Sequence, residues 1–304
     1  MTTNAVLLDK DFAKFCVEKN FRITFSLDGY KYNHDRNRVT IDKKPTFDVV
    51  LKNILEYQRI KREMGKVQIT SFNCCYDDYT DLEKCIDFFV SNGENFAPMY
   101  VVYSYISPYD TTYYDWLKKN ENLIEGTRTN FVESYNKIRE KFLRGEYRTE
   151  YEKAAVQHLM LGAYAISIRN KDKMNPLNNS CIPLSKLAVY SDGTYAICEK
   201  LNKRLPIGNV STGIDYERMQ EIADMLKNTL ENGRCSKCPL KRLCNVCFQF
   251  LEETGEINYD YCEREKKTLM QMLIDYCSMR ENNPSIMEYY SQTEETSEIL
   301  NVLN

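Results

Sequence analysis

The chain has 304 residues, room for about two domains, with a formal net charge of −3, a pI near 5.7 and no long basic run, which argues against a general grip on nucleic acid. Twelve cysteines are too few for a disulfide scaffold at this length, and the first residues lack a signal peptide's charged-then-apolar pattern, so a reducing cytoplasm is the expected compartment. The most apolar long run, Ala154 to Ile168, includes Gln157 and His158 and is too short to span a bilayer.

Asp9 is placed to cap an opening helix whose apolar face reads Phe12, Phe15 and Cys16. Phe21, Ile23, Phe25 and Leu27 then alternate as in a strand that ends in the turn signal Asp28–Gly29. A helix from Thr46 carries Phe47, Val50, Leu51, Ile54 and Leu55 on one face, and Val67 and Ile69 mark a second strand. Thr80 to Glu83 reads as a capping box before a helix that buries Leu82, Cys85, Ile86, Phe89 and Val90. A third strand follows over 96–106. This alternation is that of βα units on a parallel sheet, an α/β class.

Cys16 and Cys85 lie on apolar helix faces and read as core residues, while Cys74 and Cys75 point to opposite sides of a strand. The two histidines, His34 in a loop and His158 in an apolar run, give poor support for a His-based triad or a zinc hydrolase. Residues 109–174 are helical in character, rich in charge and tyrosine, and hold the single tryptophan, Trp116.

Cysteine then dominates. Asp192–Gly193 between two short strand-like runs signals a hairpin in which both turn residues take positive φ, folding Cys198 back toward Cys181. Met219, Ile222, Leu226 and Leu230 give an amphipathic helix. Cys235-x2-Cys238-x5-Cys244-x2-Cys247 follows, with Cys262 fourteen residues later. A helix from Glu263 to Arg280 faces Leu269, Met272, Leu273 and Tyr276 inward and sets Cys277 beside that face, where it too reads as a core residue; the last dozen residues are polar and acidic. In a reducing compartment closely spaced thiols are metal ligands more often than disulfides. Seven of them suit two sites, one of four ligands and one of three; sulfur-rich sites suit zinc or iron–sulfur alike.

The pattern Cys181-x11-Gly193-x4-Cys198, the two Cys-x2-Cys pairs and Cys262 together resemble the SPASM domain, the two-cluster C-terminal module of radical SAM enzymes that modify peptides and proteins. The second pair departs from the family's usual Cys-x3-Cys. Cys198–Glu199, Ile207 to Val210 and Gly213 to Asp215 are similar to peptide maturases of this group. Thr3–Asn4–Ala5 looks like the Thr-Asn-Gly after a central strand of the radical SAM barrel, with Ala5 in place of glycine. Ser26 to Gly29, His34–Asp35 and Asn37 to Val39 match the next strand and loop. The likeness runs from about residue 2 to residue 265 and begins in mid-barrel.

The resemblance implies a partial (β/α) barrel over 1–108, a helical linker over 109–174, a small irregular SPASM iron–sulfur domain over 175–283 and a tail over 284–304. It implies that Cys235, Cys238, Cys244 and Cys262 hold one auxiliary cluster, [4Fe–4S] by type, and that Cys181, Cys198 and Cys247 hold the other. Asn4, Ser26 and Asp28 would lie near S-adenosylmethionine (SAM), with a plain Asp-Gly turn as the rival for Asp28. Glu199 would be the base, with a solvated surface glutamate as its rival. The Cys-x3-Cys-x2-Cys that holds the SAM-cleaving cluster is absent from these residues, so the expectation is an N-terminally truncated maturase that does not start the reaction alone. The implied partner is a ribosomally made, cysteine-rich precursor peptide, with thioether cross-linking or sulfatase maturation as outcomes, a reductant protein and a complementing N-terminal half as further partners, and neither nucleic acid nor membrane. A non-catalytic adaptor holding zinc or a cluster is the alternative.

Overall fold

Four strands, β1 (Thr2–Thr3), β2 (Thr24–Ser26), β3 (Thr70–Tyr76) and β4 (Met99–Tyr105), pair in chain order into one sheet, every pair parallel. The computed structural model describes residues 1–108, 111–125, 128–169, 177–178, 180–201 and 203–285, divided between two compact units, Met1–Leu161 and Gly162–Asn304. The sheet belongs to the first. One face of the sheet is apolar and buried, with Ile23, Phe25, Leu27, Phe72, Cys74 and Val101, while the alternate positions Thr24, Ser26, Ser71, Asn73 and Ser104 make the other face largely polar. Because every strand runs the same way, the residues that follow them (Asn4, Asp28 and Asp77) share the carboxyl edge, the side on which such folds build sites.

The chain does not open on a helix. Thr2 and Thr3 pair with Thr24 and Phe25, and only then does α1 (Lys10–Glu18) begin, with Asp9 accepting the Phe12 N–H at 2.8 Å as expected. Its buried face is the small set Ala13, Cys16 and Val17. Phe12 and Phe15 are 43% exposed and cluster with Phe21 on the surface. The stretch read as a loop around His34 is α2 (Lys31–Asn37). In α3 (Phe47–Glu63) Phe47, Val50 and Ile54 are buried as expected, but Tyr57 and Ile60 continue the stripe while Leu51 and Leu55 sit at its margin.

Val67 is 82% exposed, and β3 begins three residues after it. The helix α4 (Leu82–Ser91) is capped by Asp81, which accepts from the Lys84 N–H at 3.0 Å, not by Thr80. The Thr80 hydroxyl instead serves the buried network around Asp77, a stronger claim than an exposed cap. Phe96, read as the start of the third strand, instead ends a helical turn, α5 (Gly93–Phe96), and β4 begins at Met99. The helices α6 (Tyr113–Lys119), α7 (Arg128–Arg144) and α8 (Glu150–Arg169) bear out the helical reading after β4. Residues 109–110, 126–127 and 170–174 of the expected linker, 175–176, 179 and 202 of the expected cysteine-rich domain and 286–304 of the expected tail lie outside the described residues. Among those described, no helix is long and apolar enough to cross a membrane.

In the second unit β5 (Ala188–Val189) and β6 (Tyr195–Ala196) form the expected hairpin. Only Gly193 of its turn has positive φ, +85°, so the loop is wider than a two-residue turn with both residues left-handed. A second hairpin, β7 (Gly208–Asn209) and β8 (Gly213–Ile214), joins the first through the Ile207 N–H to Tyr195 O bond. Asp215 then caps α9 (Tyr216–Glu231) through the Arg218 N–H. Ile222, Leu226 and Leu230 of α9 meet Ile207, Phe248 and Leu251 in one apolar core. The last helix, α10 (Tyr259–Asn282), starts four residues earlier than its periodicity indicates and so takes in Cys262. It buries Leu269, Asp275 and Met279, leaving Met272, Leu273 and Tyr276 half-buried.

Candidate metal centres and strand-end network

Four thiols border one cavity of about 200 Å³: Cys235, Cys238, Cys244 and Cys262. Cys235 and Cys238 sit on a tight turn closed by the Cys238 N–H to Cys235 O bond. Asn178 ties down the second turn, its amide donating to Lys241 O at 2.7 Å and to Cys244 O at 2.8 Å. The Lys241 ammonium fastens the same turn to the end of α9 through Leu230 O. Cys262 lies in the first turn of α10, behind the Asn258 cap. Burial pushes the Cys244 thiol up to about 12, helped by the Glu265 charge and then by Cys235, Cys262 and Cys238. Cys235 is raised by burial and by the neighbouring Cys262 and Cys238. Crowded sulfurs of this kind release their protons to a cationic centre, so the donor set fits one.

Cys247 belongs elsewhere. Although only three residues from Cys244, its neighbours are Cys181 and Glu199, which raise its pKa after burial does, against the lowering by the Gln249 N–H and Lys200. Cys198 is likewise raised by burial, Glu199 and Cys247. Backbone N–H groups already point at two of these sulfurs, Lys200 to Cys198 Sγ and Gln249 to Cys247 Sγ, each at 3.4 Å. Cys181 is exposed. Tyr261 lies near members of both groups, Cys244 and Cys262 of the first and Cys247 of the second; its ring stacks on Phe250 at 3.7 Å and its hydroxyl donates to Asn245 O. Among the described residues no three metal-ligating side chains group as a single-ion site.

Glu199 is exposed, and its Oε2 accepts from the Cys198 thiol at 3.3 Å. Burial works to raise its pKa, but its own backbone N–H, Cys198, Lys186 and Lys200 outweigh that, and it ends below the usual carboxylate range. Of the other cysteines, Cys16, Cys74 and Cys85 are fully buried. Cys277 is exposed, against its reading as a core residue.

At the sheet's carboxyl edge, both Asp28 oxygens are engaged. Arg38 Nε donates to Oδ2 at 2.5 Å and Arg38 Nη2 to Oδ1 at 3.0 Å, where the Cys75 N–H also donates at 2.8 Å. Asp28 is 2% exposed, so its carboxylate bridges β2, β3 and α2 and does not face open solvent. His34 Nδ1 accepts from the Asp28 N–H, which leaves Nε2 to donate to Thr46 Oγ1 at 3.2 Å; burial lowers this histidine's pKa. Ser26 is buried at the end of β2, and Asn4 is exposed with its Oδ1 turned back to the Val6 N–H. Sequence reading missed the adjacent buried pair, Arg36 Nη2 to Asp77 Oδ2 at 2.7 Å, which Tyr113 joins by donating to the same oxygen at 2.6 Å. Asp77 lies 41 residues from Arg36 and 36 from Tyr113, and no local spacing signals them.

No family model matches the chain. It is 24% identical over 282 residues, 88% of its own length and 70% of the relative's, to the cysteine-type anaerobic sulfatase-maturating enzyme of Clostridium perfringens strain ATCC 13124. It is 37% identical over 71 residues to the enzyme of the same description from Clostridium novyi strain NT, a match that spans 19% of that relative. Among solved structures, native anSMEcpe with bound AdoMet and Cp18Cys peptide superimposes with a TM-score of 0.54 at 21% identity, over 95% of this chain and 74% of that one. Hexahistidine-tagged anSMEcpe with bound AdoMet gives 0.55 at 19%, over 99% and 74%. The chain shares their α/β fold.

Proposed function

We propose that this chain is a radical SAM/SPASM-type protein that acts on a cysteine-bearing peptide and holds two auxiliary iron–sulfur clusters. One is assigned to Cys235, Cys238, Cys244 and Cys262, the other to Cys181, Cys198 and Cys247. The observation that carries the reading is the parting of Cys244 from Cys247. A lone zinc knuckle uses both pairs of such a run on one ion, whereas here the second pair divides between two groups. The similarity to sulfatase-maturating enzymes favours oxidation of a peptide cysteine over thioether formation. Bound clusters would supply single-electron transfer.

The chain's own part is holding and proton handling. The Lys200 and Gln249 N–H groups stabilise Cys198 and Cys247 as thiolates. With Cys198 ligated and its proton gone, Glu199 Oε2 loses its present donor and is left to accept a proton from a substrate thiol. Asp28 acts as a positioning residue, clamping Arg38 and β3 so that Ser26 and Asn4 present the SAM-side edge. The SAM-cleaving step needs a Cys-x3-Cys-x2-Cys run, which these residues do not contain, and is assigned to whatever segment or partner carries it.

The test is anaerobic reconstitution with iron, sulfide and zinc analysis and electron paramagnetic resonance after reduction. About eight irons and eight sulfides per chain are expected, with C244S and C247S each removing a different signal. One or two zincs without iron would establish the zinc-held adaptor instead. Loss of the same signal in both variants would overturn the division of ligands.

A further inference from the structure

Aromatic rings at the carboxyl ends of β3 and β4 touch in an unbroken series. Trp116, the single tryptophan of the chain, is 48% exposed on α6 and stacks on Tyr113 with centroids 6.5 Å apart. Tyr113 meets Tyr114 at 5.4 Å, and Tyr114 meets Tyr105 at 6.1 Å. Tyr105 meets Tyr76 at 5.5 Å, and Tyr76 reaches the buried Tyr103 at 6.5 Å. Every step falls in the range of direct ring contact, about 4.5–7 Å.

Packing accounts for rings in contact; it does not account for where their hydroxyls point. Tyr113 donates to Asp77 Oδ2 at 2.6 Å, Tyr105 to Asp78 Oδ1 at 2.9 Å and Tyr114 to Ile106 O at 2.6 Å. A phenol gives up an electron readily only if its proton has an acceptor within reach. Two of these phenols have a carboxylate, one of which is also paired with Arg36. Burial raises the pKa of Tyr76, Tyr113 and Tyr114, so they stay protonated and must shed a proton on oxidation.

We propose that Trp116, Tyr113, Tyr114, Tyr105 and Tyr76 form a relay for single oxidising equivalents between the protein surface and the carboxyl edge of the sheet. In the first step a surface one-electron oxidant removes an electron from Trp116, and the indole N–H proton leaves to water. The indole radical then takes an electron from Tyr113 and a proton from water. Tyr113 becomes a phenoxyl radical, and its proton passes to Asp77. The Tyr113 radical then takes an electron from Tyr105 across the Tyr114 ring between them and takes its proton back from Asp77, while Tyr105 releases its own proton to Asp78; the Tyr76 ring carries the contact on toward the sheet. Nothing in this step uses a cluster or SAM, so it goes beyond the function proposed above and stands or falls separately.

Pulse radiolysis of the full chain with azide radical, an oxidant selective for tryptophan, tests it, because only one indole is present. The expected result is first-order conversion of the tryptophanyl to a tyrosyl absorption, at a rate independent of protein concentration. Y113F keeps the ring and removes the oxidisable hydroxyl, and the conversion should slow at least roughly tenfold. Y259F, an exposed tyrosine outside the series, should leave it unchanged. An unaltered rate in Y113F, or a rate that scales with protein concentration, would overturn the relay; circular dichroism of Y113F establishes that it is folded.

Discussion

His158 accepts the Tyr103 N–H on Nδ1 at 3.1 Å and packs edge-on against Tyr100, so the folded chain needs this ring neutral. Burial lowers its pKa to about 4 from an ordinary 6.5. Between those values the unfolded chain binds a proton that the folded one does not, so the contribution is complete above pH 6.5 and is lost as pH falls toward 4. The ring is partly exposed, which brings the expected loss down to on the order of 1–2 kcal/mol. Urea melts at pH 7 and pH 4.5 should show that decrement in the wild type and a smaller one in H158Q; parallel losses would assign the acid sensitivity elsewhere. The core role of this histidine is legible from its apolar run. That of Asp28 is not, because an Asp-Gly turn and a clamp that reaches Arg38 and Cys75 look alike until partners 10 and 47 residues away are in place.

The two hairpins of the second unit depend on glycine to different degrees. Gly208 has φ +122°, and a Cβ there would fall 2.1 Å from Gly213 O across the β7–β8 pair. Gly213 has φ +81° and open space around it. G208A must therefore part the hairpin, with a loss of roughly 3 kcal/mol, while G213A carries only the conformational cost, about 1 kcal/mol. Thermal melts of the two variants would separate them; equal losses would refute the clash. The alternation of βα units, the Asp-Gly hairpin and α9 were readable from period and turn chemistry alone. The shifted elements have tertiary causes: Thr80 is drawn from the cap into the Asp77 network, and α1 turns its small residues inward where it packs beside α3.

At the scale of the whole molecule, paired spacing announced the cysteines, while resemblance supplied which sulfurs share a group. The loaded second unit should resist heat and protease better than the metal-free chain, since a centre bound only by the folded form stabilises it. Melting by circular dichroism before and after reconstitution checks this, and an unchanged midpoint would mean that the thiols are bound without order. The placement of Cys244 and Cys247 has a further consequence. Links from 247 back to 181 and 198, and from 262 back to 235, would close two loops that overlap along the chain rather than nest. Neither could then be opened without slackening the other. Loop-closure entropy would thus be shared between the centres, and emptying one would weaken the hold on its neighbour, as cutting one strand of a knot frees both.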